Sequence, residues 1–271
     1  MRSLLTPSYY HDEAIFRREL DPLFRTSWQL VGFTHDLRNP NDYIVRTVNG
    51  KSIVIQNFAG DLRALHAVGS ALGEQLSCYP MVINANWNAI VENTLEGYHV
   101  NYVHARSLKR LGTSGVDIAI QDPPSTYRSA TEQKPGPTRD RLNEAFRSRP
   151  FQTDDYIHQF VFPNATIATA HGTSFNVNLM RPLSACETEV LVYVFETKLG
   201  DLTRAEQALV KAMRPSVVDL TNTTFDEDKV ICEQVQLGLS ETSRVSILSS
   251  EERRIEAFHT AYLARLEAKA A

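Results

Sequence analysis

Two histidines, His99 and His104, are the residues in this sequence best suited to metal chemistry. Neutral imidazole is a ligand for Fe(II), zinc and copper. The two residues are five positions apart, which separates them by about 140° around an ideal α-helix. Both can therefore bind one metal ion only if the helix ends or distorts between them, near Tyr102 and Val103.

Acidic residues precede these histidines at helical spacing. Glu92, Glu96 and His99 stand at positions i, i+4 and i+7, which form one stripe along a helix. The opposite side carries Ile90, Leu95 and Tyr98. The pattern fits a polar site set against an apolar core, and it also fits a solvated acidic face that carries a surface histidine.

A metal site with two histidines needs a further ligand, which should be a carboxylate from elsewhere in the chain. Two histidines and one carboxylate are the ligands of many non-haem Fe(II) sites, which keep open positions for O2 and substrate. Residues 225–236 contain the best candidates, with consecutive acids at Asp226, Glu227 and Asp228. Acidic runs are usually solvated surface, so spacing alone does not select one of the three.

The composition argues against several classes of protein. The 271 residues carry a net charge of −4 and no polybasic run, so nucleic-acid binding has little support. Apolar runs such as residues 190–195 are too short to span a bilayer, and the first ten residues lack the apolar stretch of a secretory signal. The cysteines are few and far apart, at Cys78, Cys186 and Cys232. We therefore expect a cytoplasmic protein with no nucleic-acid or membrane partner.

Helical periodicity predicts helices over residues 8–37, 84–104, 203–213, 216–235 and 250–269. Thr203 is the expected N-cap of the third of these, because Glu206 stands at the capping-box position. Residues 105–150 are rich in proline and charge, which predicts a long loop or lid with one helix near 138–147.

Alternating β-branched and aromatic residues predict two groups of strands. Residues 42–48 and 51–56 flank Asn49-Gly50, a type I′ turn signal, and residues 62–66 predict a third strand. Residues 67–80, with two glycines and a proline, are expected to be irregular. The second group is 156–162, 165–171 and 188–197, with 174–181 as another strand or an extension of the second.

One segment combines Asn86-Trp87-Asn88, Glu92-Asn93, Glu96, Tyr98-His99 and His104. This combination resembles the iron-binding motif of Rieske non-haem iron oxygenase alpha subunits, the aromatic-ring-hydroxylating dioxygenase family. Residues 227–239 resemble the family's helix that donates the carboxylate ligand. Two strands resemble those of its substrate pocket, at Phe162-Pro163-Asn164 and Arg181-Pro182. The opening, residues 9–66, is similar to that of the family, with Phe16, Glu19, Leu23, Phe24 and Trp28.

The resemblance implies a role for six residues. The Fe(II) ligands would be His99, His104 and Asp228. Glu96 stands at the position of the family's bridging acid, which connects the iron to the iron–sulfur cluster of a neighbouring subunit. Asn93 and Tyr98 would orient the ligands.

The implied fold is α+β. In the helix-grip (START-like) catalytic domain of this family, a curved antiparallel sheet grips a long C-terminal helix and encloses a substrate pocket. On this basis we expect three parts. Residues 1–37 would be N-terminal helices packed on the catalytic domain, residues 38–80 a truncated β remnant of the Rieske domain, and residues 81–271 the iron-binding catalytic domain.

The family's cluster motif, Cys-x-His followed by Cys-x-x-His, is missing from this sequence. Cys78 is followed by Tyr79, Pro80 and Met81, and His66 has no neighbouring cysteine. We therefore predict that this chain holds mononuclear Fe(II) but no [2Fe-2S] cluster of its own.

Three interpretations of function follow. In the first, the protein uses O2 to hydroxylate or demethylate a small organic substrate, with electrons from a ferredoxin or a cluster-bearing paralogous alpha subunit. In the second, it is an Fe(II) enzyme that works without a cluster. In the third, it is a non-catalytic or regulatory partner of a complete alpha subunit. Relatives of this family form trimers, so a trimer or a mixed oligomer is expected.

Other residues have weaker claims to function. His158 and His171 lie on predicted strands, where they could line the pocket or, for His171, mark a turn. We expect His11, His35 and His259 at the surface. Trp28 is expected in the core.

Overall fold

Seven antiparallel strands form the main sheet. A computed structural model of the chain describes residues 1–39, 42–48, 51–56, 71–108, 113–120, 125–131 and 137–267. A separate hairpin pairs β1 (Tyr43–Val48) with β2 (Lys51–Gln56). The strands of the main sheet are β3 (Leu72–Ile83), β4 (Thr113–Ile120), β5 (Ser125–Thr131), β6 (Asp155–Val161), β7 (Ala165–Ala170), β8 (Ser174–Ser184) and β9 (Glu187–Thr197). Their spatial order is β3-β9-β8-β7-β6-β5-β4.

The α-helices in the described part of the chain are α1 (Glu13–Glu19), α2 (Trp87–Leu95), α3 (Val100–Val103), α4 (Pro137–Ala145), α5 (Arg204–Glu241) and α6 (Arg253–Glu267). A π-helical segment, Leu20–Arg25, extends α1. Short 3-10 turns occupy Pro7–Tyr10, Thr34–Leu37 and Ser250–Glu252. None of the helices in these ranges combines the length and the apolar character that crossing a bilayer requires.

Alternating side chains explain the strands at the centre of the sheet. Val190, Val192 and Val194 of β9 are fully buried and point to one face, as the two-residue period of a strand requires. The four strands of residues 155–197 confirm the prediction for that region, with 174–184 as a strand of its own. The predicted α+β class, with its antiparallel sheet, is therefore present.

Residues 67–80 were expected to be irregular, and this is wrong from Leu72 onward. Strand β3 pairs with β9, and Pro80 lies opposite Leu191. Strand β3 is an edge strand, where a proline can face away from the ladder without loss of a sheet hydrogen bond. Strand β3 also crosses the predicted domain boundary between residues 80 and 81, so residues 72–80 belong to the same sheet as strands of the predicted catalytic domain. The division of the chain into three parts stays a prediction.

Two further local predictions were wrong. Residues 105–150 are not only a loop with one helix, because β4 and β5 extend the sheet there. Their side chains are mostly small and polar, which hides the strand pattern. In the N-terminal segment, helical structure stops at Arg25, and residues 26–33 have none. The Asn49-Gly50 turn and the strand predicted at 62–66 lie outside the described residues.

Helix α5 joins the two helices that were predicted at 203–213 and 216–235. It starts with the expected capping box, since the Glu206 amide donates to Thr203 Oγ1 over 3.3 Å and the Thr203 amide donates to Glu206 over 2.7 Å. It then continues through Pro215. A proline inside a helix removes one hydrogen bond, and the packing of α5 on β3, β9 and α2 offsets that loss.

The iron-motif helix α2 lies over a core of aromatic rings. Trp87 is fully buried, with its ring edge-on to Phe24 at 4.9 Å and to Phe258 at 5.8 Å between centroids. Its indole Nε1 donates to the carboxylate of Glu19 over 2.8 Å, and the hydroxyl of Tyr262 donates to the other carboxylate oxygen. Glu19 therefore ties the N-terminal segment to α2 and α6.

We expect Glu19 to make stability fall as pH rises. Burial raises the pKa of Glu19 to about 7, from the ordinary value of 4.5, although its hydrogen bonds with Tyr262 and Trp87 oppose the rise. The folded state thus binds this proton more tightly than the unfolded chain does, so the stabilisation is complete below pH 4.5 and is lost as pH rises through about 7. The linked change is about 3 kcal/mol.

The measurement is urea unfolding of wild type and of Glu19→Gln at several pH values. The amide keeps an acceptor for Trp87 but does not titrate, so the wild-type minus variant difference in unfolding free energy should decrease by about 3 kcal/mol from roughly pH 4.5 to 8. Glu13→Gln, on the same helix with its side chain about half exposed, is the matched control. A difference that stays flat or increases with pH would contradict the prediction.

Candidate metal centre

The segment that contains Glu92, Glu96, His99 and His104 is not one continuous helix. Helix α2 begins at Trp87 and ends at Leu95, and Asn86 is its N-cap, with its side chain accepting from the Asn88 amide over 2.8 Å. Glu96 is extended, and the chain turns before α3 starts at Val100. His99 and His104 flank this single turn. The predicted single helix over 84–104 is therefore wrong. The helix end predicted near Tyr102 and Val103 is met, because α3 ends at Val103 and His104 is not helical.

Gly97 leaves room for a side chain of the sheet at the interruption. A Cβ atom on Gly97 would lie 2.5 Å from the Tyr127 hydroxyl oxygen. A larger residue at this position would therefore require the Tyr127 side chain to move. The helical stripe of Glu92, Glu96 and His99 does not exist, because the backbone changes direction after Leu95.

Three side chains converge on one point. The Nε2 atoms of His99 and His104 are 3.2 Å apart. Asp228 of α5 places Oδ1 3.3 Å from His104 Nε2 and 3.7 Å from His99 Nε2. His104 is fully buried, and the other two side chains are about one-seventh exposed.

Each of the three consecutive acids on α5 faces a different neighbour. Asp228 points at the histidines and accepts from Asn93 Nδ2 over 2.9 Å. Asp226 accepts from the hydroxyl of Tyr79 over 3.0 Å on the exposed side. Glu227 turns toward the segment after His104. Successive helical residues are rotated by about 100°, which separates their roles.

Two further carboxylates, those of Glu96 and Glu227, lie on the Nδ1 side of the histidine rings. Glu96 contacts His99 Nδ1 and also accepts from the His99 amide over 3.1 Å. Glu227 Oε2 lies 3.1 Å from His104 Nδ1 and accepts from Ser107 Oγ over 2.6 Å. Each carboxylate favours a proton on Nδ1, which leaves Nε2 of the same ring with a free lone pair.

Hydrogen bonds and nearby charges determine the protonation of His104 and Glu227. Burial lowers the pKa of His104, but the carboxylates of Asp228 and Glu227 outweigh burial and raise the pKa above its ordinary value. Burial raises the pKa of Glu227, yet donors from Ser107, Arg106 and His104 bring it below its ordinary value. Glu227 is therefore a carboxylate at neutral pH.

The donor set fits a mononuclear metal ion. Ligands at right angles, about 2.1 Å from an ion, lie about 3 Å from each other. The donor atoms of His99, His104 and Asp228 all lie within 4.8 Å of one another. The two imidazole Nε2 atoms are 3.2 Å apart, which is close to the spacing expected for two ligands of one ion. Two imidazoles and one carboxylate on one side of an ion are the ligand set that Fe(II) oxygenases use.

The three donors lie at the wall of a cavity of about 180 Å³. Its other walls come from β5 to β8, α5 and α6. Polar groups dominate the sheet side, and they include Tyr127, Tyr156, His158, Thr166 and Asn178, while α6 contributes Arg254. The volume suits a small ligand, since drug-sized pockets start at about 300 Å³.

The remaining residues singled out from the sequence have mixed outcomes. Asn93 contacts Asp228, as described. Tyr98 lies in the interruption, but its half-exposed hydroxyl donates to Glu252 over 3.1 Å. His158 lines the cavity, while His171 occupies a turn with a φ of 60°. The catalytic and ligand roles of all these residues stay predictions.

Two positional predictions were wrong. His259 was expected at the surface but is fully buried, because α6 holds its Nε2 2.8 Å from Glu92. Glu92 also accepts from the hydroxyl of Tyr10 over 2.7 Å, so it belongs to this buried group and not to the metal centre. Trp28 was expected in the core but is 88% exposed, because helical structure has ended before it.

Sequence reasoning missed two residues that the site depends on. For Glu227, the sequence did not separate its role from those of Asp226 and Asp228. The signal was its position one residue before Asp228, which places it on a different side of α5. Arg254 was not considered. It falls on the buried stripe of α6 with Phe258 and Tyr262, and a charged residue on an apolar stripe is the signal that could have found it.

Comparison with known proteins identifies the family. The profile of the ring hydroxylating alpha subunit (catalytic domain) matches residues 63–268, which is most of the chain. The chain therefore belongs to the ring hydroxylating alpha subunit family and contains its catalytic domain. The family assignment and the fold class predicted from the sequence are thereby confirmed.

Curated relatives match over parts of their length. Choline monooxygenase of Arabidopsis thaliana is 27% identical over 159 residues, which cover 58% of this chain and 33% of that protein. The carnitine monooxygenase oxygenase subunit of Escherichia coli (strain K12) is 36% identical over 69 residues, or 25% of this chain and 18% of that protein. The matched regions thus span a third or less of these relatives.

Solved structures share the fold. The quaternary ammonium Rieske monooxygenase CntA in complex with L-carnitine superposes with a TM-score of 0.65 at 15% identity, over 97% of this chain and 94% of that one. Naphthalene 1,2-dioxygenase with bound indole gives a TM-score of 0.65 at 14% identity, over 98% and 92%.

We expect Glu227→Gln to weaken metal binding about 10- to 100-fold, the usual cost of removing the partner of a ligand histidine. If the amide nitrogen faces His104 Nδ1, it forces the ring proton onto Nε2 and blocks the metal lone pair. If the amide is reversed, its nitrogen meets the Arg106 amide, which is also a donor.

Competition between the protein and a chromogenic chelator for Co(II) measures this affinity. Glu233→Gln is the control, because Glu233 is on the same helix and accepts from Asn84 instead. Equal Co(II) affinities for the two variants would exclude the orienting role of Glu227.

Proposed function

We propose that this protein is an Fe(II)-dependent oxygenase that uses O2 to hydroxylate or demethylate a small organic molecule. The observation that carries the proposal is the convergence of His99, His104 and Asp228 at the wall of an internal cavity. Three protein ligands leave other positions of the ion open toward that cavity. The family membership of the chain supports the same chemistry.

Each residue of the centre has a task in this proposal. His99, His104 and Asp228 hold the ion. Asn93 donates to Asp228 and fixes the orientation of its carboxylate. Glu96 and Glu227 keep the ring protons on Nδ1, so that both Nε2 atoms face the ion. When bound, Fe(II) supplies the redox chemistry that activates O2 toward the substrate.

The walls of the cavity hold the substrate and limit the entry of water. Polar groups from β7 and β8, among them Thr166 and Asn178, can fix its orientation, and Phe225 and Leu220 of α5 provide apolar contacts. The buried oxygen Oδ1 of Asn178 has no hydrogen-bond partner among the described residues. An unpaired buried acceptor costs about 1–3 kcal/mol, so a ligand that donates to it is favoured.

We propose that the electrons for turnover come from a cluster held outside residues 1–271, since these residues contain no Cys-x-His motif. We propose a cluster-bearing ferredoxin or a paralogous alpha subunit as the donor. Glu96, whose carboxylate contacts His99 Nδ1, would lie between the donor and the metal. In this arrangement residues 38–80 are a remnant of the cluster domain, and the protein forms a trimer or a mixed oligomer with its donor.

Two other functions remain as alternatives from the sequence. A cluster-independent Fe(II) enzyme would need the substrate itself to provide the electrons. A non-catalytic partner subunit would not need the three converging ligands. The retained geometry of Asp228 and of the carboxylates behind the histidines therefore favours a working metal centre.

Iron content tests the metal centre. Wild-type protein should bind about one Fe(II) per chain, and Asp228→Asn should retain less than about a tenth of that, because an amide is a weak ligand for the ion. Asp226→Asn is the control, since Asp226 is on the same helix but contacts Tyr79. Absence of iron from the reconstituted wild type, or equal loss in both variants, would refute the proposal.

Substrate-dependent O2 consumption tests the electron supply. The iron-loaded protein should consume O2 with a substrate only when a reduced cluster-bearing donor is added, and Glu96→Gln should reduce the rate per bound iron at least about tenfold. Turnover of the isolated protein without any reductant would favour the cluster-independent alternative. No turnover with any donor, despite bound iron, would favour the partner-subunit alternative.

A further inference from the structure

One wall of the cavity carries a buried positive charge without a carboxylate partner. The guanidinium of Arg254, on α6, lines the cavity and is only 1% exposed. Within the described ranges of the chain, Arg254 forms no ion pair; its hydrogen bonds go to Ser125, Leu95 and His158. A buried charge that meets only neutral acceptors is costly, and an anion that enters the cavity lowers that cost.

The donors of Arg254 are not all used. Nε donates to Ser125 Oγ over 3.0 Å and Nη2 donates to the Ser125 carbonyl over 3.3 Å. Nη1 has one long contact, 3.4 Å to the carbonyl of Leu95. A guanidinium has five N–H groups, so one N–H on Nη1 has no acceptor among these contacts.

His158 adds a second donor to this wall. Its Nδ1 lies 3.0 Å from Nη2 of Arg254. Since arginine can only donate, Nδ1 must accept, and the proton of the neutral ring is on Nε2. Burial, followed by the charge of Arg254, holds the pKa of His158 well below its ordinary range, so the ring stays neutral.

Two tyrosines complete a wall that contains donors and no acid. Tyr127 and Tyr156 line the cavity next to Arg254, whose guanidinium carbon lies 6.0 Å from the ring centre of Tyr127. Burial raises the pKa of both hydroxyls, which therefore remain protonated at neutral pH. The acids of the cavity, Glu96 and Asp228, belong to the metal centre.

We propose that Arg254 and His158 bind a carboxylate group of the substrate, which is therefore a small organic acid. The acids of the metal centre repel the carboxylate, and the Arg254 wall attracts it, so the substrate has one favoured orientation. The carbon to be oxidised lies at the other end, beside His99, His104 and Asp228. The substrate role rests on the proposed function, whereas carboxylate binding by Arg254 does not.

Matched pairs of an acid and its amide test the proposal. The probes are butanoate with butanamide and benzoate with benzamide, which differ little in size but differ in charge. Calorimetric titration of the iron-loaded protein should show at least one acid bound at least about tenfold more tightly than its amide. Equal binding of acid and amide, or no binding of either acid at millimolar concentration, would overturn the proposal.

Variants separate carboxylate binding from a structural role of Arg254. Arg254→Gln should abolish the preference for the acid, and Arg254→Lys should weaken acid binding about tenfold because it lacks the planar fork. His158→Gln keeps an acceptor for Arg254 and should lose a few-fold in acid affinity. Arg253→Gln, at an exposed position beside Arg254 on α6, is the control and should bind as wild type does. Thermal unfolding of each variant reports any loss of structure, and unchanged acid affinity in a folded Arg254→Lys or His158→Gln protein would contradict the proposal.

The metal must be tested as a competing binding site, because carboxylates also bind iron. The titrations are therefore repeated after iron is removed with a chelator. Acid binding that depends on Arg254 should persist in the metal-free protein, and its disappearance with the metal would overturn the proposal. Failure of the protein to bind iron would refute the oxygenase function but would leave this result intact.

Discussion

Helical structure stops at Leu95 and again at Val103, so His99 and His104 flank an isolated single turn, and the metal centre depends on that local geometry. If the helix continued, His99 and His104 would point in directions about 140° apart, and one ion could not bind both. The extended Glu96 and the side-chain-free Gly97 redirect the chain, and Tyr127 occupies the space where a Cβ would stand. The two Nε2 atoms are 3.2 Å apart, and their residues stand at the two ends of the turn α3.

The centre also depends on acids placed in two layers. Asp228 shares the inner layer with the histidine Nε2 atoms, while Glu96 and Glu227 stand behind the rings at Nδ1. The outer acids determine which ring nitrogen carries the proton, and this decides whether the inner nitrogens can bind a metal. Because Glu227 also receives hydrogen bonds from the segment that follows His104, it fixes that segment to α5.

Charge is distributed unevenly around the cavity, and this asymmetry connects the fold to its chemistry. The wall at the metal centre contains carboxylates, and the wall formed by α6 and the sheet contains the guanidinium of Arg254 with neutral donors. The same guanidinium reaches the carbonyl of Leu95, the last residue of α2. The guanidinium that is proposed to bind the substrate thus also stabilises the C-terminal end of α2, next to the metal centre.

The sequence by itself determined the family, the α+β class, the histidine pair and the candidate acid Asp228, because these depend on residue type and on order along the chain. It also fixed the central strands through their alternating valines and the start of α5 through Thr203 and Glu206. Only the tertiary structure decided which nitrogen of each histidine ring faces the metal centre and which neighbour each of the three acids of α5 contacts. It also decided that His259 and Arg254 are buried. These features depend on contacts between segments more than 100 residues apart, such as His104 with Glu227, and local spacing does not specify such contacts.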